Sequence, residues 1–268
     1  MPIIRLSSHN CFYLYEDFGK PETIVFSNSL GTNLTMWDAV VEMVKAEFNV
    51  LRYDTRGHGQ SSINSATVSI PELGQDVLEL LDHLKLEKVY FCGLSMGGLI
   101  GQWLGIYAPK RFKKIILTNT AAKIGTDETW NTRIDLVKTN GLSVLQKGTA
   151  DRWFTPAFRE KNPEVVAEIL EKFKQNSIQG YTANCAAVRD ADFREELHNL
   201  KVPTLIISGL QDEVTKVADG NFMQEKIPDS SHVQLDANHL SAVELPKAFA
   251  RVILEFKDSY KQFLSGKV

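Results

Sequence analysis

Cysteine is scarce in this chain, and the spacing of the few cysteines is informative. The 268 residues include three, Cys11, Cys92 and Cys185, which lie far apart and form no Cys-x-x-Cys pair. An odd number at such spacings argues against both a disulfide framework and a zinc site. Free cysteines are typical of a reducing compartment, so we expect a cytoplasmic protein.

Long apolar runs and a strong excess of one charge are also missing. No stretch approaches the ~20 apolar residues of a membrane span, and the N-terminus lacks a basic segment followed by an apolar one. The formal net charge is -3, and lysine and arginine are scattered rather than gathered into the basic stripe of a nucleic-acid-binding protein. We therefore expect neither a membrane nor a nucleic-acid partner.

Short apolar strands alternate with amphipathic helices along the chain. This alternation predicts an α/β fold, with helices on both faces of a mostly parallel sheet. The length and the 43% hydrophobic content suffice for one such core with an insertion. Eight strands are predicted, over residues 3–6, 11–16, 23–27, 49–53, 88–92, 114–118, 204–208 and 232–235. The first two are expected to form an antiparallel hairpin at the sheet edge. Core helices are predicted over residues 36–46, 71–85, 98–107 and 245–263.

The strand pattern stops between residues 122 and 188, where helical segments take over. Helices are predicted there over residues 130–139, 142–153 and 163–176. We expect a core formed by residues 1–121 and 189–268, and a helical lid formed by residues 122–188 that covers the mouth of the site. The alternative is an added bundle that makes no contact with the site.

One serine stands in a pattern that is typical of a catalytic nucleophile. Ser95 lies in Gly-Leu-Ser-Met-Gly at 93–97, directly after a predicted strand and directly before a predicted helix. A strand-to-helix turn this sharp needs glycine at 93 and 97, because a Cβ at either position would collide across the turn. We therefore interpret Ser95 as the nucleophile of an elbow above the sheet edge.

A serine hydroxyl needs a base to take its proton and a carboxylate to orient that base. Asp212 follows the strand predicted at 204–208, and His239 follows the strand predicted at 232–235. The order serine, aspartate, histidine is that of the α/β hydrolases. His58 is the nearest competitor, but it precedes the serine, and we interpret its glycine-rich loop as a local hydrogen-bond network.

The tetrahedral intermediate of acyl transfer carries a negative oxygen that needs hydrogen-bond donors. The backbone amide of Met96, at the start of a helix, is one candidate donor. The second candidate is the amide of Leu30, in the loop after the strand at 23–27. A backbone donor needs no special side chain, so an ordinary strand-to-helix turn at this loop is compatible with the role.

Several segments together resemble the 3-oxoadipate enol-lactone hydrolases, a family of α/β hydrolases. They are Ser-Asn-Ser-Leu-Gly-Thr at 27–32, Asp-Thr-Arg-Gly-His-Gly at 54–59, Gly-Leu-Ser-Met-Gly-Gly at 93–98, Ile-Gly-Thr at 124–126, Arg-Asp-Ala-Asp at 189–192 and Val-Pro-Thr at 202–204. Most α/β hydrolases have His-Gly where this chain has Asn28-Ser29, a departure that matches this family. The resemblance spans essentially the whole chain. It implies a lactonase of the β-ketoadipate branch of aromatic catabolism, with no metal or organic cofactor.

The implied substrate is a small anionic lactone, whose free carboxylate needs a cation in a partly dry pocket. Trp130 and Arg133 are three residues apart and share a face of a predicted helix, where they are the first candidates for binding. Packing for Trp130 and a solvated charge for Arg133 remain open. Arg189 is a second candidate, although Asp190 and Asp192 are close enough in sequence to engage it. The oligomeric state stays open.

Two other functions are compatible with the same catalytic residues. A general carboxylesterase or perhydrolase shares the triad and differs only in its pocket. A ligand-sensing protein on this scaffold keeps the triad but turns its ligand over slowly, well below the ~1 to 1000 per second of most enzymes. Dehalogenases and soluble epoxide hydrolases use an aspartate at the elbow, so Ser95 argues against both.

Overall fold

The structure is a computed structural model that describes the backbone of residues 2–264 and the side chains of residues 2–259. Its strands are β1 (Ile3–Arg5), β2 (Asn10–Glu16), β3 (Thr23–Ser27), β4 (Asn49–Tyr53), β5 (Val89–Leu94), β6 (Phe112–Thr118), β7 (Thr204–Gly209) and β8 (Ser230–Leu235). Residues 1 and 265–268, at the ends of the predicted core, lie outside the described residues.

The strands form one sheet in the order β1-β2-β4-β3-β5-β6-β7-β8. The pairs β1/β2 and β2/β4 are antiparallel, and all other neighbouring strands are parallel. Every residue of β3, β4 and β5 is buried, because helices cover both faces of a parallel sheet. The predicted eight-stranded, mostly parallel sheet with an antiparallel edge hairpin is confirmed.

Helices of two groups surround the sheet. The core group consists of α1 (Asp38–Val44), α2 (Ile70–His83), α3 (Met96–Tyr107), α9 (Val217–Lys226), α10 (Ser241–Glu244) and α11 (Pro246–Leu264). The second group follows β6 and consists of α4 (Asp127–Asn140), α5 (Gln146–Trp153), α6 (Pro156–Lys161), α7 (Pro163–Lys174) and α8 (Ile178–Asp190). Within the described residues, no helix combines the length and the apolar character that a bilayer crossing requires.

Hydrogen bonds fasten the inserted helices α4 to α8 to the core, among them one from the Asn184 side chain of α8 to the Arg56 carbonyl oxygen at 2.9 Å. Near the end of α7, the Asn176 side chain donates to the Gly31 carbonyl oxygen at 2.8 Å. Near the end of α5, the Trp153 carbonyl oxygen accepts from the Leu240 amide at 3.0 Å, and the Thr155 hydroxyl donates to Glu244 at 2.7 Å. The insertion is therefore bonded to loops at the carboxyl edge of the sheet.

This edge of the sheet is where the candidate site forms. Because β5, β6, β7 and β8 are parallel neighbours, the loops that leave their carboxyl ends emerge side by side. Ser95 follows β5, Asp212 follows β7 and His239 follows β8. The topology alone thus brings together three residues that are far apart in sequence.

Candidate active site

Ser95 occupies a sharp turn between β5 and α3. Its backbone has φ 58° and ψ -111°, a strained combination for a residue with a side chain. A Cβ on Gly93 would lie 2.0 Å from the Gly97 carbonyl oxygen, and one on Gly97 would lie 2.3 Å from the Ser27 carbonyl oxygen. Only glycine fits these two positions, and the backbone around Ser95 has the geometry of a nucleophile elbow.

His239 lies beside Asp212, with its Nδ1 2.8 Å from the Asp212 Oδ2. Both side chains are buried. Since an ionised carboxylate only accepts hydrogen bonds, Nδ1 carries the proton and Nε2 is left as a base. His239 and Ser95 line the same cavity, so the structure brings the three predicted triad residues together.

The Asp212 carboxylate accepts hydrogen bonds at both oxygens. Oδ2 also accepts from the Asn119 side-chain amide at 3.0 Å and from the Thr215 hydroxyl at 2.8 Å. Oδ1 accepts from the backbone amides of Val214 and Thr215. Burial alone would raise the pKa of Asp212, but the adjacent His239 and the hydrogen bonds from His239, Asn119 and Thr215 outweigh it and lower this pKa to about 2. The carboxylate is therefore ionised at neutral pH.

The two candidate oxyanion donors lie close to Ser95, one next to it in sequence and one in the loop after β3. Met96 begins α3, so its amide has no acceptor within the helix, and Leu30 lines the cavity with Ser95. Within residues 2–259, neither amide donates a hydrogen bond. The Gly97 amide donates to the Asn28 carbonyl oxygen at 3.1 Å, which holds the elbow against the loop that carries Leu30.

The cavity at Ser95 is small and is lined in part by the inserted helices. Its volume is about 30 Å³, which is room for one or two water molecules, whereas sites for small-molecule ligands usually measure about 300 to 1,000 Å³. Trp130 and Arg133 of α4, Arg152 of α5 and Tyr181 of α8 line it opposite Ser95. The insertion thus contacts the site directly.

Two arginines face this cavity without an acidic partner. Within the described side chains, neither Arg133 nor Arg152 forms an ion pair, and no aspartate or glutamate lines the cavity. The Arg133 guanidinium lies 5.0 Å from the centre of the Trp130 ring, and Arg152 donates to the Thr149 hydroxyl at 3.0 Å. Burial and the positive charge of Arg133 both lower the pKa of Arg152. The positive charge of such a pair favours binding of an anion.

Known proteins are similar to this chain along most of its length. The family model described as Serine aminopeptidase, S33 matches residues 20–239. The chain is 46% identical over 259 residues to 3-oxoadipate enol-lactonase 2 of Acinetobacter baylyi, covering 94% of this chain and 97% of that protein. It is 45% identical over 236 residues to 3-oxoadipate enol-lactonase 1 of the same organism, covering 88% of each. This chain belongs to the 3-oxoadipate enol-lactonase family.

The fold agrees with that of a solved enol-lactonase. The crystal structure of the enol-lactonase from Burkholderia xenovorans LB400 matches with a TM-score of 0.94 at 39% sequence identity, covering 96% of this chain and 100% of that chain. The sequence shows membership of the enol-lactonase family, and the structure has the α/β-hydrolase fold.

Of the three substrate-binding residues predicted for this enol-lactonase family member, two line the cavity and one lies outside it. Trp130 and Arg133 line the cavity, and the Trp130 indole donates to the Ile124 carbonyl oxygen at 2.6 Å. Arg189 does not line it. Its guanidinium donates hydrogen bonds to the Asp190 carboxylate and to the Asn131 side chain at 2.6 to 3.0 Å. The Asp190 carboxylate therefore already balances its charge.

Sequence reasoning missed other polar groups at this enol-lactonase site. Arg152 faces the cavity beside Arg133, and Asn119 and Thr215 hold Asp212. Asn119 directly follows β6. Its position after a predicted strand therefore could have indicated that it lies at the carboxyl edge of the sheet, near the site. Arg152 follows Asp151 in a polar stretch, and nothing local distinguishes it from a surface charge.

Proposed function

We infer that this enzyme hydrolyses 3-oxoadipate enol-lactone to 3-oxoadipate, a step of aromatic compound catabolism. The observation that carries this inference is that Ser95, His239 and two guanidiniums without an ion-pair partner line one cavity. Ester cleavage needs a nucleophile and a base, which Ser95 and His239 provide. The guanidiniums are what a substrate with a free carboxylate needs, and the relatives named above are enol-lactonases.

The reaction begins at Ser95. Nε2 of His239 takes the hydroxyl proton as the oxygen attacks the lactone carbonyl carbon, while Asp212 stabilises the imidazolium that forms. The amides of Leu30 and Met96 hold the negative oxygen of the tetrahedral intermediate. Since the Asp212 carboxylate is fixed by its own hydrogen bonds, the imidazole needs little reorganisation during proton transfer.

Collapse of the intermediate opens the lactone ring. The bond between the acyl carbon and the ring oxygen breaks, and that oxygen leaves as an enolate, which is a better leaving group than an ordinary alkoxide. The His239 imidazolium gives up the proton it took from Ser95, and the enolate gains one at carbon and becomes a ketone. The acyl group stays bonded to Ser95, and His239 is again neutral. Water then attacks the acyl-enzyme with His239 as base, releasing 3-oxoadipate and restoring the serine hydroxyl.

Recognition of the substrate carboxylate falls to Arg133 and Arg152. Guanidinium groups bind carboxylates through paired, charge-assisted hydrogen bonds, which gain strength in a site that excludes water. The Trp130 ring, beside the Arg133 guanidinium, forms a wall of the same cavity. Arg189, with Asp190 and Asn131 as partners, has no part in this arrangement.

Residues 122–188 act as a lid over the site. A cavity of about 30 Å³ is too small for the lactone, so the inserted helices shift to admit it and close again to exclude water. Hydrogen bonds from Asn176 to Gly31, from Leu240 to Trp153 and from Asn184 to Arg56 tie α5, α7 and α8 to the core. We expect the movement in α4, which carries Arg133, and in the residues between α4 and Trp153.

Replacing Arg133 by methionine should reduce kcat/KM for the enol-lactone by about 10-fold to 100-fold, the value of a lost charge-assisted hydrogen bond. Methionine keeps much of the apolar stem but removes the charge. Turnover of the neutral ester p-nitrophenyl acetate should be unchanged. The matched control is Arg189→Met, which removes an arginine near the end of α8 that lies outside the cavity and should affect neither substrate. A preference for the neutral ester that does not depend on Arg133 would instead indicate a general carboxylesterase.

A double-mutant cycle tests whether Arg133 and Arg152 bind one anion. If both guanidiniums contact the same carboxylate, the losses in kcat/KM for the lactone will be coupled, with an interaction energy of about 0.5 to 3 kcal/mol. The measurement compares the two single methionine variants with the double variant on the lactone and on p-nitrophenyl acetate. Independent losses on the lactone would place the two arginines at separate groups of the substrate.

A further inference from the structure

The loop that carries Leu30 is held by a buried histidine that the mechanism above does not use. His58, in the loop after β4, is 1% exposed. Its Nε2 lies 2.9 Å from the Gly31 backbone nitrogen and accepts that N–H. A ring nitrogen that accepts a hydrogen bond carries no proton, so His58 is neutral with its proton on Nδ1, which faces the Arg56 carbonyl oxygen. Burial lowers the pKa of His58 to about 4, in agreement with a neutral ring.

Hydrogen bonds fix three consecutive peptide groups of this loop. The Ser29 carbonyl oxygen accepts from the Thr32 amide at 3.1 Å and from the Thr32 hydroxyl at 2.8 Å. The next peptide group is held at the Gly31 N–H by His58. The one after it is held at the Gly31 carbonyl oxygen by Asn176 of the insertion, at 2.8 Å.

Because a peptide group is planar, these hydrogen bonds also fix the direction in which the Leu30 N–H points. The Ser29 carbonyl and the Leu30 N–H belong to one planar group and point in opposite directions. When Thr32 holds the carbonyl on one side, the Leu30 N–H faces the other. His58 fixes the peptide group that follows Leu30, so rotation about the Leu30 backbone would break one of the two anchors.

We propose that His58 is a positioning residue of the oxyanion hole, acting as a neutral acceptor that holds the Gly31 amide so that the adjacent Leu30 amide stays aimed at the negative oxygen of the intermediate. This inference rests on the proposed role of Leu30 but not on the identity of the lactone, since any ester cleaved at Ser95 uses the same donors. Removing an oxyanion donor costs about 10²-fold to 10³-fold in kcat, and loss of its alignment should cost part of that.

The test compares His58→Leu, which removes the acceptor, with His58→Gln, whose side-chain oxygen reaches about as far as Nε2. In His58→Leu, kcat for p-nitrophenyl acetate should fall about 10-fold to 100-fold with little change in KM. Affinity for phenylboronic acid, which forms an anionic tetrahedral adduct with a nucleophilic serine, should fall in parallel. His58→Gln should recover most of both. Because the substrate and the probe carry no carboxylate, these results are independent of whether the lactone assignment holds.

A purely structural role for His58 predicts a different set of results. His58→Leu would then lower the melting temperature while kcat and boronic acid affinity of the folded protein stayed at the wild-type values, and this outcome would overturn the proposal. If His58→Leu does not fold, His58→Asn replaces it, because the shorter amide remains polar but falls short of Gly31. Equal kcat values in the asparagine and glutamine variants would also overturn the proposal.

Discussion

Replacement of Ser95 by alanine should lower kcat/KM for the enol-lactone by at least about 10⁴-fold, because loss of a serine nucleophile removes the covalent route entirely. The fold should be unaffected. Within the described residues, the hydrogen bonds of Ser95 use its backbone: the amide donates to the Thr118 carbonyl oxygen, and the Ser95 carbonyl oxygen accepts from the Gly98 and Leu99 amides and the Thr120 hydroxyl. Alanine keeps the Cβ and the strained backbone angles, so the melting temperature should stay within about 2 °C.

The measurement for Ser95→Ala is lactone turnover together with a thermal melt. Ser143→Ala is the matched control, since Ser143 is an exposed serine of the insertion and should keep full activity. A residual activity above about 1% in a folded Ser95→Ala protein would exceed the background expected without the nucleophile. It would place the covalent step at another residue.

The sheet can be predicted from the sequence because buried parallel strands are continuous apolar runs with few alternatives. The strand expected at 204–208 lies within β7, and the one expected at 88–92 lies one or two residues from the bounds of β5. The elbow is also local, because its two glycines and its serine are fixed by contacts within a few residues and across β3. Fold and nucleophile therefore follow from short segments.

Helix boundaries are predicted less well because caps and close packing weigh as much as periodicity. The pattern places the first helix of the insertion at Trp130, whereas α4 begins at Asp127, where the Thr126 side chain accepts from the Thr129 amide. Helix α9 is missing from the sequence prediction. It contains Gly220, a poor helix former, yet a Cβ there would lie 2.4 Å from the Ser208 hydroxyl oxygen. Close approach to the sheet explains the glycine.

The second arginine shows what a sequence alone does not contain. Arg152 and Arg159 both lie in polar helical stretches of the insertion, and both follow the pattern of surface charges. In the structure Arg159 pairs with Asp151, while Arg152 lines the cavity. Which of them faces the site depends on how α5 packs over the sheet edge, and that packing is set by contacts between segments far apart in the chain. The charge pattern of the pocket is therefore a tertiary property.

Replacement of Asp212 by asparagine should lower kcat by about 10⁴-fold, because the residue acts through the tautomer of His239. One position of the side chain accepts from two backbone amides and can remain an oxygen. The other faces Nδ1 of His239. An NH₂ group there donates to Nδ1 and moves the ring proton to Nε2, which then cannot take the proton of Ser95.

The same substitution introduces a conflict with Asn119, whose amide donates to the carboxylate oxygen that would be replaced. A buried donor left facing a donor costs about 1 to 3 kcal/mol, so the melting temperature should fall as well, and kcat must be measured on folded protein.

Asp236→Asn is the control for Asp212→Asn, because it makes the same chemical change at an exposed residue three positions before His239 and should alter kcat by no more than about twofold.

Since the pKa of Asp212 is held at about 2, the carboxylate is ionised throughout the range from pH 5 to 8 in which the wild type would be assayed. Any acid limb of the wild-type rate in that range therefore belongs to another group. If the asparagine variant kept more than a tenth of the wild-type kcat, the orientation of His239 would depend on something other than Asp212, and the hydrogen bond between them would be structural rather than catalytic.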